Sequence, residues 1–127
     1  GVVFAAGNLM HEVRGHDADC ANGIRTNAVA FGKKATFITA FVLFSMAYLL
    51  LAVYSAAEQH WGLFGISVMA YLLHTVKSWR ALLSQLELRP FLQLQSQYRL
   101  NFALIGIALL ATLTLSYMRS LLSGAAG

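Results

Sequence analysis

The sequence predicts an all-α protein, a polytopic integral membrane helix bundle. Hydrophobic residues make up 58% of the 127 residues and charged residues only 11%, against about a quarter charged in ordinary soluble domains; mean hydropathy is +0.63. The run Ala35 to Ala57 carries no charge and is longer than the roughly 20 residues that cross a bilayer core. Polar residues collect in short stretches between apolar runs, the pattern of membrane helices joined at their ends.

Gly1 to Met10 is apolar and about 15 Å long as a helix, half a spanning length, so it reads as the last turns of a longer helix. No base precedes it and acids follow it, which argues against a secretory signal. Asn22-Gly23 is expected to stop this helix, because Gly is favoured just past a helix end and Asn tolerates the left-handed conformation. A loop carrying Arg25 and Thr26 follows, so residues 1–34 form a helix end plus a polar loop.

The first full span is 35–57, with Thr36 as its expected cap. Glu58-Gln59-His60 is the only polar break before the next apolar run; so short a turn implies an antiparallel helix hairpin, with Trp61 as an interface anchor. The second span, 61–80, ends in Lys77, Trp79 and Arg80, with His74 expected as a hydrogen-bonded interfacial histidine. Residues 81–99 mix apolar and polar positions around Pro90 and suggest an interfacial amphipathic connector. The alternation Phe91-Leu92-Gln93-Leu94-Gln95 mimics a strand, but a lone strand has no partner at a membrane surface. The third span is 100–118, where Gly106, Ala108 and Ala111 offer a small-residue face for close packing. Arg119 follows it, and Gly124-Ala125-Ala126-Gly127 reads as a frayed end.

Lys and Arg lie before the first span (Arg14, Arg25, Lys33, Lys34) and in the connector (Lys77, Arg80, Arg89, Arg99), while the hairpin tip has none. The positive-inside rule therefore puts the polar loop and the connector on the cytoplasmic side. The net charge of +4, carried at helix ends, suits lipid headgroups and not nucleic acid. A single cysteine, Cys20, forms no internal disulfide.

The chemistry gathers between His11 and Gly32. Glu12, Asp17 and Asp19 lie among Arg14, Arg25, Lys33 and Lys34, so acids able to hold a divalent cation stand beside bases able to hold an anion, the pairing a metal-bridged diphosphate needs. On a helix Glu12, His16 and Asp19 share one face at i, i+4 and i+7, and Asp17 is displaced from it. A zinc-protease reading of His11-Glu12 fails, because His11 and His16 are five residues apart and do not share a face as i, i+4 ligands must.

The run Asn8 to Gly32, closing in Gly23-Ile24-Arg25-Thr26-Asn27-Ala28-Val29-Ala30-Phe31-Gly32, resembles the second aspartate-rich motif of the UbiA superfamily of intramembrane prenyltransferases. In that family a D-x-x-x-D cluster precedes a G-[IV]-[KR]-[ST] turn and a further helix. The alignment puts Asp19 on the last motif aspartate, Gly15 on the first and Glu12 on the acidic position before it, so Glu12 or Asp17 would replace the missing carboxylate. By helix order the resemblance implies the end of the sixth helix and the seventh to ninth helices of a nine-helix fold. It also implies Mg²⁺-dependent transfer of a prenyl group from a prenyl diphosphate to a lipophilic, aromatic acceptor within membrane lipid. Asp19, Asp17 and Glu12 become expected metal ligands, Arg25 and Lys33 expected diphosphate contacts, and Asn8 and His16 expected substrate contacts. Two other readings stay open: a UbiA-type terpene cyclase, with Phe44, Tyr48 and Tyr54 candidates for lining its cavity, and a non-catalytic small membrane subunit.

Overall fold

The computed structural model describes residues 1–124, with side chains through Leu122. Five helices follow one another: α1 (Val2–Ala21), the short α2 (Asn27–Phe31), α3 (Lys33–Ala57), α4 (Trp61–Leu83) and α5 (Leu88–Gly124). There is no strand among the described residues. Packing follows the chain: α1 lies on α3, α3 on α4 and α4 on α5, while α2 bridges α1 and α3 and α5 meets α1 at one end. Short connections make successive long helices antiparallel.

The core comes from matching stripes. Phe37, Ala40, Phe44 and Tyr48 of α3 recur every three or four residues and are buried, as are Ser67, Ala70, His74 and Ser78 of α4. Large rings on one helix thus meet small side chains on the next, which lets the backbones approach. Tyr98 and Phe102 of α5 close the third side, with ring centroids 4.8 and 5.3 Å from that of Phe44. Serine hydroxyls in this apolar setting bond back along their own helices: Ser55 Oγ donates to Leu51 O and Ser67 Oγ to Leu63 O, each at 2.7 Å. Outward, Leu49, Leu50, Val53, Ile107 and Leu110 remain exposed, a surface suited to lipid.

Two helices, Lys33–Ala57 and Leu88–Leu122, are long and apolar enough to cross a membrane. The expected second span, α4, is long enough but does not join them by composition, because His74, Lys77, Ser78 and Arg80 dilute its apolar residues.

Several expectations need correction. Helix α3 starts at Lys33 with Gly32 (φ 89°) before it, so Thr36 is not its cap; Thr36 is buried against the neighbouring helices instead. The connector 81–99 is not a separate element. Its residues divide between the end of α4, a tight turn at 84–87 and the first turns of α5. Pro90 sits in the first turn of α5, where the missing N–H would have had no helical partner and nothing is broken. His74 is fully buried against the middle of α3 and not at the bundle's end, with its Nε2 3.4 Å from Ser78 Oγ; its ring stacks on Phe41 at 5.7 Å and meets Phe44 edge-on at 5.2 Å. Gly106 and Ala111 are exposed, and nothing approaches a Cβ built on Gly106; the adjacent Ile105 is the buried residue at this level, so Gly106 faces outward. Of the expected frayed end, residues 125–127 lie outside the described residues.

Candidate functional site

The polar residues converge at the end of the bundle where α1 stops, α3 begins and α4 turns into α5. Helix α1 ends at Ala21 through a Schellman-type closure: Ile24 N–H donates to Asp19 O at 2.9 Å and Gly23 N–H to Cys20 O at 3.3 Å. Gly23 has φ 67°, the left-handed conformation for which glycine is suited. Three residues later the Thr26 hydroxyl accepts from Val29 N–H at 3.3 Å and caps α2. The Gly-Ile-Arg-Thr turn is therefore a helix stop joined to a helix start.

Glu12 fixes this loop to α1. Its Oε2 accepts from Asn27 N–H at 2.7 Å and Ala28 N–H at 3.4 Å, and its Oε1 from Asn27 Nδ2 at 3.0 Å. A carboxylate at the start of α2 satisfies donors that the helix leaves open. Of the three expected metal ligands, Glu12 is thus engaged in the fold.

Asp17 points toward the start of α3, where Lys33 Nζ donates to its Oδ2 at 2.8 Å, and His16 Nδ1 lies 2.9 Å from its Oδ1. The hydrogen bond from Lys33, followed by that from His16, holds the Asp17 carboxyl below the usual carboxylate range. His16 also lies 3.7 Å from the exposed Cys20 Sγ. Asp19 sits one turn beyond Gly15, and a Cβ built on Gly15 would meet its Oδ2 at 3.3 Å. Its carboxylate has no hydrogen-bond or ion-pair partner among the described residues.

An open cleft of about 410 Å³ lies beside these groups, with Arg14, Asp17, Lys33 and Glu87 among its polar walls and Val13, Leu86 and Phe91 among its apolar ones. The structure brings Asp17, Lys33 and His16 together. It leaves Arg25 exposed in the loop and Asn8 exposed on α1, with no hydrogen bond or ion pair from either side chain to the acids among the described residues. No group of three or more His, Cys, Asp or Glu stands close enough to hold a metal among the described residues.

Sequence reasoning missed the cluster linking α1 to α5. Arg14 Nη1 donates to the Gln95 Oε1 at 3.2 Å, Arg14 Nη2 lies 3.3 Å from His11 Nδ1, and Arg99 Nη2 lies 3.0 Å from His11 Nε2. Burial, then the charges of Arg14 and Arg99, lower the pKa of His11 from its ordinary value. A signal for it exists in the sequence: the apolar run of α1 ends at Met10 and that of α5 begins at Leu100, so His11 and Arg99 occupy equivalent boundaries. No protein-family model matches the chain, and neither curated proteins nor solved structures give a match.

Proposed function

We propose that this chain supplies the second acidic motif and last helices of a UbiA-type intramembrane prenyltransferase. In this reading a prenyl group passes from a prenyl diphosphate to a lipophilic, aromatic acceptor, with Mg²⁺ required. The observation that carries the reading is the pairing at the polar end: Asp17, on the last turns of α1, stands beside Lys33 and Arg14 in the wall of a cleft, with Asp19 two residues further along the same helix. Apolar seams between the helices run away from that end.

The donor set suits Mg²⁺, which takes hard oxygen ligands and is commonly held by one or two carboxylates together with substrate phosphates and waters. Asp17 offers one carboxylate when Lys33 turns from it to a diphosphate oxygen, and Asp19, about 200° around α1 from it, offers an unpartnered carboxylate on the face it shares with Gly15. Glu12 belongs to the loop scaffold in this reading. Bound there, the ion would neutralise charge building on the leaving diphosphate. Lys33 and Arg25 hold diphosphate oxygens, His16 orients Asp17, and Asn8 contacts the organic part of the substrate. The groove of about 300 Å³ between α3 and α4, lined by Tyr48, Leu49, Ala52, Val68 and Tyr71 among others, lies further along the bundle and suits the far, apolar part of an isoprenoid chain. Departure of diphosphate breaks the carbon–oxygen bond; the acceptor ring supplies the electron pair for the new carbon–carbon bond and then loses a proton.

The polar end belongs on the cytoplasmic side, since eight of the nine Lys and Arg residues flank it and only Arg119 lies toward the other end of α5. Helix α4 lies between α3 and α5 and so shares the membrane with them. A non-catalytic subunit is the second reading, favoured by Gly15 at a motif position and by the engagement of Glu12 with Asn27. The deciding experiment is prenyl transfer by the full-length protein in membranes. Asp19→Asn should remove most activity with the fold intact, and Gly15→Asp, which sets a second carboxylate against Asp19, should lower the Mg²⁺ needed for half-maximal rate. Unchanged rate and metal requirement in Asp19→Asn would refute the diphosphate site and leave the subunit reading.

A further inference from the structure

We propose that His11, Arg14 and Arg99 form a binding site for the phosphate of an anionic phospholipid at the seam between α1 and α5. Both guanidinium groups approach one imidazole, Arg99 Nη2 at 3.0 Å from Nε2 and Arg14 Nη2 at 3.3 Å from Nδ1. A neutral imidazole accepts at one nitrogen only, so one of these contacts sets a donor against a donor. No carboxylate lies within ion-pair distance of either arginine among the described residues. The nearby acids are engaged or turned elsewhere: Glu12 to Asn27, Asp17 to Lys33 and His16, and Asp19 against Gly15. Two guanidiniums held together without an anion complement phosphate, which takes paired N–H donors from arginine. Gln95 holds the arrangement in place. It is buried to 3% exposure, accepts from Arg14 Nη1, and places its Nε2 3.5 Å from His11 Nδ1.

The position selects a lipid over a soluble phosphate. His11 follows the apolar run of α1 directly, and Arg99 precedes that of α5 directly, so the cluster stands where both helices leave the apolar layer. The stripes continuing inward from it are apolar. Phe4 lies two turns below His11 at 75% exposure, and Leu110 lies three turns below Arg99 at 68%. A phosphate between the arginines would thus have its acyl chains against Phe4 and Leu110. Arg14 also lines the cleft that holds Asp17, whereas His11 and Arg99 do not; the proposal rests on the membrane placement of α5 and not on prenyl transfer.

The test is native mass spectrometry of the whole chain released from nanodiscs of phosphatidylcholine containing one tenth phosphatidylglycerol, with Arg99→Gln and Arg14→Gln/Arg99→Gln compared. The unaltered chain should retain phosphatidylglycerol over phosphatidylcholine at least tenfold beyond its share in the disc. Arg99→Gln should cut that preference severalfold, and the double variant should abolish it. Arg99 is exposed and its hydrogen-bond contact among the described residues is with His11, so its single variant keeps the test valid if the double variant does not fold. Adding inorganic phosphate or diphosphate at millimolar concentration should leave the retained lipid in place. Retention without headgroup preference, retention unaffected by either variant, or displacement by inorganic phosphate would overturn the proposal. Failure of the chain to enter nanodiscs would overturn the membrane placement itself, a separate result from loss of lipid preference.

Discussion

At the end where α1 stops and α3 begins, side chains far apart in sequence bond to one another: Glu12 to Asn27, Asp17 to Lys33, Arg14 to Gln95 and His11 to Arg99. At the opposite end, the hairpin turn at 58–60 and the far turns of α5 present Trp61, Tyr117, Leu121 and Leu122 to the surroundings. The hydroxyls of Thr112 and Thr114 there bond only within their own helix. Between the ends lies an aromatic middle built on Phe44, Tyr48, His74 and Phe102. The contrast teaches that, among the described residues, polar contacts between distant side chains gather at one end of the bundle axis, while the middle holds the helices together by packing, with the Asn101 to Ala70 O bond its polar tie between α5 and α4.

The largest effect expected from breaking this division is in the middle. Phe44 is fully buried and meets His74, Tyr98 and Phe102, so Phe44→Ala should cost about 3–5 kcal/mol, measured by unfolding in mixed micelles. A cost below about 1 kcal/mol would mean that the middle is not the packing centre. At the polar end, Glu12→Ala should cost about 1–2 kcal/mol by uncapping α2. Amide exchange at Asn27 and Ala28 should accelerate while the middle of α3 stays protected. Exchange that quickens equally throughout α3 would show that the two regions are not independent.

The smallest effect concerns Asp17, whose carboxyl is held below its usual value of 3.8 by Lys33 and then by His16. A depressed folded-state value makes a stabilising contribution that is full above pH 3.8 and is lost as pH falls through the lower folded value. Because Asp17 is exposed, solvent screens the pair and its contribution is small. Lys33→Gln should move the Asp17 carboxyl resonance titration back toward 3.8, followed by carbon NMR, with melting at neutral pH hardly altered. An unmoved titration would assign the shift to His16 instead.

The sequence made the helices legible because long uncharged runs such as 35–57 have few alternatives in an all-helical chain. The Asn22-Gly23 stop was legible for the same local reason, a residue suited to positive φ at the end of an apolar-to-polar helix. Pro90 misled because its effect depends on position: the same ring that breaks a helix interior is accommodated in a first turn. His74 misled because nearness to Lys77 in sequence says nothing about which face of α4 it occupies, and its stripe with Ala70 and Ser78 faces inward. The bonding of Glu12 to Asn27 depends on how α1 and α2 come together, which no local pattern encodes; for His11 and Arg99 only the matching boundaries of two apolar runs hinted at their meeting.

The measurement that bears most directly on a bundle with one polar and one apolar end is side-specific thiol labelling in sealed vesicles, in a Cys20→Ser background. Glu87→Cys marks the turn before α5 and Gln59→Cys the hairpin tip, both exposed. The account predicts that a membrane-impermeant reagent reaches the two positions from opposite sides of the bilayer, with Glu87→Cys sharing the side of Arg25→Cys. Labelling of Gln59→Cys and Glu87→Cys from the same side would contradict it.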